Sequence, residues 1–395
     1  MCPTMYISGG RWDDLPGTDR LLAESLAVMG PLMWVDQPAP VFRFPDVRKH
    51  LVASLLGIPE ILTSQLTRLR LPAPPMFSSR PGRGMTKAIA RHCMEKAIRA
   101  AVHPPTAIIN ASPVMGFPAG GTGVRLLHLT DDWLAAADLI GFGADYLRRS
   151  LEQNIEAADV ITAVSPGLAA KMSAFSGRTV KVVANGCRPP ANQTAADRRR
   201  PVAVLVGQLN ERLDLDILET LGTAGLDILV IGPRTESNPV TRRRLDAFLG
   251  RGNVDWRGTM SPKDLQRLLG TASVGITPYA DTEFNRSSYP LKTLEYLSAG
   301  LPVVATDLPS VRSLSCSTLT VASSPAEFVD LVRKALRERP DQGQKEEMRQ
   351  VAEANTWDVR AASLMGLCQD PATTSGPFWP DRTSAPSVRG VSNEH

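Results

Sequence analysis

The chain has 395 residues, and at the usual ~100–200 residues per domain it accommodates two or three domains. Hydrophobic residues make up 43% and charged residues 21%, which excludes wholesale disorder and leaves enough apolar sequence for a sizeable core. Lys and Arg number 44 against 40 Asp and Glu, and the resulting +4 is too small for a polycation built to coat nucleic acid, so no nucleic-acid partner is expected.

In chain order, residues 4–8 (TMYIS) read as a short strand running into GGRWDDLPG, with Thr18 placed to cap a helix that reaches about Met29. PLMWVDQ is the next strand. RLRL at 68–71, TAIIN at 106–110, VRLLHL at 124–129, VITAVS at 160–165 and VKVVANG at 180–186 repeat the pattern, with helical periodicity between most of them. Short continuous apolar strands alternating with helices predict βα units around a parallel sheet. Residues 187–201 (CRPPANQTAADRRRP) break the rhythm with three prolines and a charge run, and read as a linker. A second α/β block follows, with strands in VAVLVG (202–207), LDILVIG (226–232), NVDWRG (253–258), SVGITPY (273–279), PVVAT (302–306) and STLTVA (317–322). Ser261 before Pro262 opens a helix in SPKDLQRLL, residues 326–368 are helical, and 371–395 form a proline-rich polar tail.

The five cysteines are scattered and never form a CxxC pair, so neither a disulfide framework nor a zinc site is indicated, and a reducing cytosol fits best. The N-terminus lacks the basic start and apolar stretch of a signal peptide, and no run reaches the roughly 18–20 apolar residues of a membrane span. A cytoplasmic protein is expected, at most peripheral to the membrane. Residues 68–99 carry eight Lys and Arg and one acid. Within them, GMTKAIARHCMEKAIRA (84–100) is helix-like, with Lys87 and Arg91 one turn apart. Such a helix either lies on anionic membrane or packs on the sheet with a solvated face.

Two doubly wound domains place a cleft between the carboxyl ends of their strands, where α/β sheets bind ligands. The richest stretch there is ITPYADTEFNRSSYPLKTLEYLSAGLPVVATDLP, 276–309. Ser287 or Ser288 with Pro290 opens a short helix ending at Gly300, whose unpaired amides suit a phosphate. Lys292 and Glu295 share one face of that helix while Leu291, Leu294 and Leu297 take the core side. The pair is either a phosphate cation beside a carboxylate for paired hydroxyls, or an ordinary surface ion pair. In VGQLNERLDLD (206–216), Gly207 permits close approach to a ligand, and Arg212 is either an anion-binding group or a solvated loop cation. Asp214 and Asp216 fall in a first helical turn, where acids are favoured without a metal, and no metal is expected. In HLTDDW (128–133), Asp131 and Asp132 end a strand facing the cleft, one of them as a helix cap, and His128 is a core or rim histidine. GxGxxG is absent, which disfavours a dinucleotide fold.

The run FNRSSYPLKTLEYLSAGLPVVATDLP, together with VLVGQLNERLDLDILETL, ITAVSPGLAAKM and VVANG, resembles the nucleotide-sugar-binding signature of GT-B glycosyltransferases of family four. Within that family it is similar to a bacterial subgroup of teichuronic-acid-type enzymes, and the resemblance spans roughly residues 5–368. It implies a GT-B fold, two Rossmann-like doubly wound parallel-sheet domains facing across a cleft. The chain then divides into an acceptor-side domain at 1–187, a linker at 188–200, a nucleotide-sugar domain at 201–356, a helix at 357–368 beginning at Trp357 that crosses back to the first domain, and a tail at 369–395.

By the same resemblance, Glu295 is similar to the second acid of the family's E-x7-E pattern, which holds the ribose hydroxyls, while Ser287 stands where the first acid belongs. Asn285, Arg286, Ser287 and Ser288 are candidate replacements for that acid, and Glu283 lies four residues too early. Arg212 resembles the residue that grips the donor diphosphate, although the usual Gly-Arg pair reads Gly207-Gln208. The implied catalytic set is Arg212, Lys292, Asp131 and Asp132, with Gly207, Leu291 and Gly258 completing the donor side and Arg11, Trp12 and Asp13 facing the acceptor. The implied reaction moves a sugar from a nucleotide-diphosphate sugar to a glycan, lipid-linked or small-molecule acceptor, with retention and without a metal or other cofactor. A GT-B-type sugar-nucleotide epimerase and a noncatalytic GT-B binding subunit are the alternatives.

Overall fold

The structure, a computed structural model, describes residues 3–14, 16–40, 42, 46–75, 79–121, 123–137, 142–190 and 199–370. The first half of the chain runs β1 (Thr4–Ile7), α1 (Thr18–Met29), β2 (Leu32–Val35), β3 (Ala39–Pro40), α2 (Val47–Leu56), β4 (Glu60–Ile61), β5 (Leu66–Leu69), β6 (Pro72–Ala73), α3 (Arg80–Ala100), β7 (Ala107–Asn110), β8 (Val124–Leu129), α4 (Ala144–Ala157), β9 (Val160–Ala163), α5 (Pro166–Ser176) and β10 (Val180–Val182). Its main sheet has the order β10-β9-β8-β7-β1-β2-β5-β4 and is parallel except for the edge pair β4–β5, while β3 and β6 form a separate short parallel ribbon. β1 lies between β2 and β7, so the strand order reverses there. β1 pairs with both neighbours through Ile7, opposite Val35 and Asn110, so Ser8, Asp36 and Ala111 leave the sheet at one level.

The second half runs β11 (Val202–Val206), α6 (Leu215–Thr223), β12 (Asp227–Ile231), α7 (Pro239–Leu249), β13 (Val254–Trp256), α8 (Pro262–Leu269), β14 (Val274–Thr277), α9 (Glu283–Ser287), α10 (Leu291–Ser298), β15 (Val303–Thr306), α11 (Pro309–Arg312), β16 (Leu319–Ala322), α12 (Pro325–Arg337), α13 (Gln342–Glu353) and α14 (Trp357–Gln369). Its strands form a parallel sheet in the order β13-β12-β11-β14-β15-β16, and here the order reverses beside β11.

Both sheets are covered on both faces, which explains why their strands are continuous apolar runs rather than alternating ones. In the first sheet Met5, Ile7 and Leu127 pack with Met94, Leu151 and Met172 from α3, α4 and α5. Their neighbours Tyr6, Trp34 and Ile109 pack on the opposite face with Leu22 and Leu26 of α1 and Leu364 of α14. The last helix therefore completes the core of the first half. It is anchored at its start, where the Trp357 amide donates to the carbonyl of Cys187 (3.2 Å) and the Thr356 side chain caps the helix by accepting from the Val359 amide. In the second sheet Leu205 and Val230 meet Leu218, Phe248 and Phe328 on one side, and Val206 and Ile231 meet Tyr296 and Met348 on the other.

Several boundaries differ from the sequence reading for local reasons. Thr18 is the first helical residue, and Gly17 holds the cap position without a side-chain bond. The strand expected at 68–71 is Leu66–Leu69, and its Arg68 is buried (2% exposed) against carboxylates instead of facing water. The helix expected from 84 starts at Arg80, since Ser79 accepts from the Gly82 amide and Pro81 suits a first turn. Ser261 does cap α8. The helix expected to open at Ser287 or Ser288 is instead two helices: Ser287 ends α9, Ser288 is its C-cap, and Pro290 precedes α10. Residues 191–198 of the expected linker and 371–395 of the expected tail lie outside the described residues.

Candidate active site

The carboxyl ends of β1, β7, β8 and β11 open onto a cleft of about 600 Å³ between the halves. Ser8, Gly9 and Gly10 after β1, Ala111 and Pro113 after β7, and Thr130 and Asp131 after β8 form one wall. Gln208, Asn210 and Arg212 after β11, with Thr235 and Phe284, form the other. Gly207 turns the chain out of β11 at φ +151°, and Gly232 packs against it so closely that a Cβ there would lie 1.8 Å from the Gly207 carbonyl oxygen. Only glycine satisfies that contact. Gly258 sits behind this turn, its carbonyl accepting from the Gly232 amide (2.8 Å), and is not among the residues lining the cleft.

The Arg212 guanidinium is held by one hydrogen bond and two aromatic rings. Its Nε donates to Asn285 Oδ1 (3.0 Å), and its guanidinium lies 5.2 Å from the ring centre of Tyr279 and 4.8 Å from that of Phe284. Asn285, 1% exposed, returns its amide to the carbonyls of Arg212 (2.9 Å) and Ala280 (2.8 Å). Among the described residues the two terminal nitrogens of Arg212 have no hydrogen-bond partner. A rigid cationic fork with open donors is the geometry that grips diphosphate oxygens. Asn285 spends its hydrogen-bonding groups on this clamp, which corrects the expectation that it contacts the donor sugar.

Across the cleft stands Asp131. Burial pushes its carboxyl from the ordinary 3.8 up to about 6, Arg212 pulling the other way and Asp19 and Asp132 adding to the rise. Asp132 is different: its Oδ1 accepts from the Ala135 amide (3.1 Å), the cap expected of one of the pair, and its Oδ2 meets Lys171 Nζ (2.5 Å). The same ammonium reaches Glu283 of the second half (2.6 Å), which removes Glu283 as a substitute for the missing acid. Asp132 therefore sits behind the cleft in an interdomain ion bridge, and Asp131 is the carboxylate of the pair that lines it. His128 is buried (2% exposed) on Thr162, with burial holding its pKa down at about 4, as a core histidine.

Lys292 and Glu295 face each other on α10 at 2.7 Å, each side chain 23% exposed. Burial opposes the ammonium, but Glu295 more than offsets it, and the Lys292 pKa ends above its ordinary value. They are not among the residues that line the cleft itself. Leu294 and Leu297 are buried as expected, whereas Leu291 packs toward the α1–α14 core of the first half.

The remaining donor candidates turn away from the cleft. Arg286 is exposed and paired with Asp281, and the Ser287 carbonyl accepts from the Ser165 hydroxyl of the first half. Ser288 donates to the carbonyl of Phe284 (2.9 Å). On the acceptor side only Arg11 lines the cleft, held by Asp14 (2.8 Å). Trp12 packs edge-on against Trp34 under Arg20, and Asp13 is tied to Arg68 (2.8 Å) and Arg70 (3.0 Å), which pull its carboxyl down to about 2. Aromatic stacking and ion pairing thus give these two structural work.

The structure adds residues that the sequence did not single out. Asp19, in the first turn of α1, accepts from Tyr6 (3.1 Å), Ser8 (3.0 Å) and the Gly9 amide (2.8 Å), so it shapes the floor of the cleft. Lys171, Tyr279 and Phe284 were equally silent in the sequence, because what distinguishes them is contact across 39 to 112 residues of chain.

Residues 200–338 match the family described as glycosyl transferases group 1. TuaH of Bacillus subtilis (strain 168), provisionally assigned as a teichuronic acid biosynthesis glycosyltransferase, is 26% identical over 235 residues. That similarity covers 58% of this chain and spans 56% of the relative. Among solved structures, Anabaena HepE in complex with UDP and glucose has a TM-score of 0.62 at 12% identity, over 93% of this chain and 98% of that one. WaaG, a glycosyltransferase involved in lipopolysaccharide biosynthesis, gives 0.60 at 14% identity over 93% and 100%. A UDP-forming trehalose-phosphate synthase from Burkholderia xenovorans, in complex with glucose-6-phosphate, gives 0.64 at 12% over 93% and 100%. Two largely parallel sheets meeting at their strand ends around Arg212 and Asp131 are thus the GT-B fold that the motifs implied, and residues 200–338 match the group 1 glycosyl transferases.

Proposed function

We propose that the chain is a glycosyltransferase that takes a sugar from a nucleoside-diphosphate sugar and passes it to a glycan or lipid-linked acceptor. The observation that carries this reading is the clamped Arg212 fork, open toward a cleft whose opposite wall presents Asp131. In the reaction the bond between the anomeric carbon and the diphosphate oxygen breaks, and its electron pair leaves with the diphosphate. The acceptor hydroxyl oxygen bonds to the same carbon, and its proton passes to a departing phosphate oxygen, which gives retention when both events occur on one face. Charge collects on the diphosphate and, with opposite sign, on the sugar ring. Arg212 and Lys292 supply two positive charges for the former, and Asp131 a carboxylate for a ring hydroxyl or for the latter. Glu295 is assigned to the nucleotide ribose. Because two cations of the chain do the neutralising, the proposed reaction needs no metal.

The test is a thermal-shift screen of nucleotide sugars followed by product analysis. At a hundred times its Kd the correct donor stabilises the chain by about 2.7 kcal/mol. Arg212→Ala should remove that stabilisation, and the product anomer read by NMR should match the donor. A chain stabilised by none of the nucleotide sugars, or an Arg212→Ala variant that binds donor unchanged, ends this reading.

A further inference from the structure

The solvent face of α2 is its apolar one. Val52, Leu55 and Leu56 are 52, 40 and 55% exposed, whereas the side turned to the protein holds Ser54, 2% exposed, whose hydroxyl donates to the carbonyl of His50 (2.7 Å) one turn earlier. The helix cannot roll to bury them. Its C-cap, Gly57, at φ +71°, is pressed so closely on α3 that a Cβ there would lie 2.4 Å from the Ala97 amide nitrogen. Ile58 and Ile61, which follow the helix, are exposed as well, Ile61 on the edge strand β4. Single exposed leucines are ordinary, but five branched aliphatic side chains open to solvent between residues 52 and 61 mark an interaction surface.

The same arc carries positive charge. Arg48 precedes Val52 by four residues and Leu55 by seven, and Lys49 precedes Val52 by three and Leu56 by seven, so at helical spacing both cations stand among the exposed aliphatics. Both are exposed, and among the described residues neither side chain has a hydrogen-bond or ion-pair partner. Lys96 of α3, beside Gly57, is an exposed third cation. The neighbouring acids are occupied: Asp46 caps α2 by accepting from the Lys49 amide (3.0 Å), and Glu60 is bound by Arg70 (3.1 Å). The basic helix α3 itself buries Ala90, Cys93, Met94 and Ala97 in the core of the first half, so its apolar side is already used. What stays apolar and basic at once is α2.

We propose that α2 and the residues that follow it form a docking surface for an anionic lipid bilayer, with Val52, Leu55, Leu56 and Ile58 entering the acyl boundary and Arg48 and Lys49 meeting the headgroup phosphates. Interleaved aliphatic and basic side chains suit this occupant, because one bilayer surface takes both. The helix has 10 residues, and among the described residues no helix is long and apolar enough to cross a membrane, so the contact is one of lying on the bilayer rather than spanning it. A second copy of the chain fits less well, since a twofold pairing of this face would bring Arg48 and Lys49 of both copies together. The proposal is independent of the nucleotide-sugar reading.

The test is sedimentation of the full chain with vesicles of phosphatidylcholine alone and of phosphatidylcholine mixed equally with phosphatidylglycerol. Wild type is compared with Leu55→Gln/Leu56→Gln and Arg48→Gln/Lys49→Gln, and with Arg243→Gln/Lys263→Gln, which removes two exposed charges from the second half, each checked for an unchanged melting transition. The wild type should prefer the mixed vesicles by about tenfold or more. Each cation near an anionic surface is worth about fivefold, so Arg48→Gln/Lys49→Gln should weaken binding by about 25-fold, and the control pair by no more than about twofold. Leu55→Gln/Leu56→Gln should weaken it by about tenfold or more through lost apolar burial. Failure to bind the mixed vesicles, equal binding to both kinds, full affinity in either α2 variant, or an equal loss in the control overturns the proposal. Sedimentation velocity without lipid tests the second copy: a dimer that Leu55→Gln/Leu56→Gln dissolves, in a chain that binds no vesicles, assigns the face to self-association and rejects the bilayer.

Discussion

Asp131→Asn offers a direct measure of how far the cleft is organised for chemistry at the expense of stability. The wild-type carboxyl titrates near 3.8 when unfolded and about 6 when folded, because burial disfavours its charged form. A raised folded pKa means that the favourable contribution is complete below the unfolded value and is lost as pH climbs through the folded one. At about 1.4 kcal/mol per pH unit, the loss between acid and neutral pH comes to about 3 kcal/mol. Asparagine cannot ionise and escapes this loss. Asp131→Asn should therefore be about 2–3 kcal/mol more stable than wild type above pH 7 and within about 0.5 kcal/mol of it near pH 4. Urea unfolding at the two pH values, with the slope of the transition compared between proteins, reads both numbers. The same variant should lose most of its transferase turnover, since the proposed carboxylate is gone. A stability gain of equal size at both pH values, or none at pH 7.5, would falsify the claim that Asp131 is held in the cleft against its charge.

Lys292→Ala should lower turnover by about 10²–10³-fold with the melting temperature little changed, as expected for one preorganised donor to developing charge; a loss below tenfold removes Lys292 from the site. Asn285→Ala leaves the buried carbonyls of Arg212 and Ala280 without their donors, and should cost about 1–3 kcal/mol while raising the donor Kd through a loosened Arg212, which calorimetry would show. Gly232→Ala puts a methyl group on the Gly207 carbonyl at a φ of +145°, so the variant should lose several kcal/mol and expose the second sheet to proteolysis. Lys171→Met breaks the bridge from Asp132 to Glu283, and small-angle scattering should then report a more open pair of halves.

What the amino-acid order determined here was whatever is local in physical origin. Residues 124–129 and 303–306 are strands because an apolar run of that length, bounded by breakers, can be buried on both faces, and Ser261 starts a helix because its own hydroxyl satisfies a nearby amide. Arg212 and Lys292 stood out for the same reason, as cations beside a turn and in a first helical turn. The tertiary structure alone decided what each charge meets. Asp13 and Asp131 look alike in sequence, yet one has its carboxyl drawn down by Arg68 of β5 and Arg70 just after it, and the other has it driven up by burial between two halves of the chain. Asn285 became a clamp and Glu283 an interdomain ion bridge through partners 73 and 112 residues away. Desolvation and Coulomb energy depend on distances in space, and no spacing along the chain encodes them until the sheets have packed.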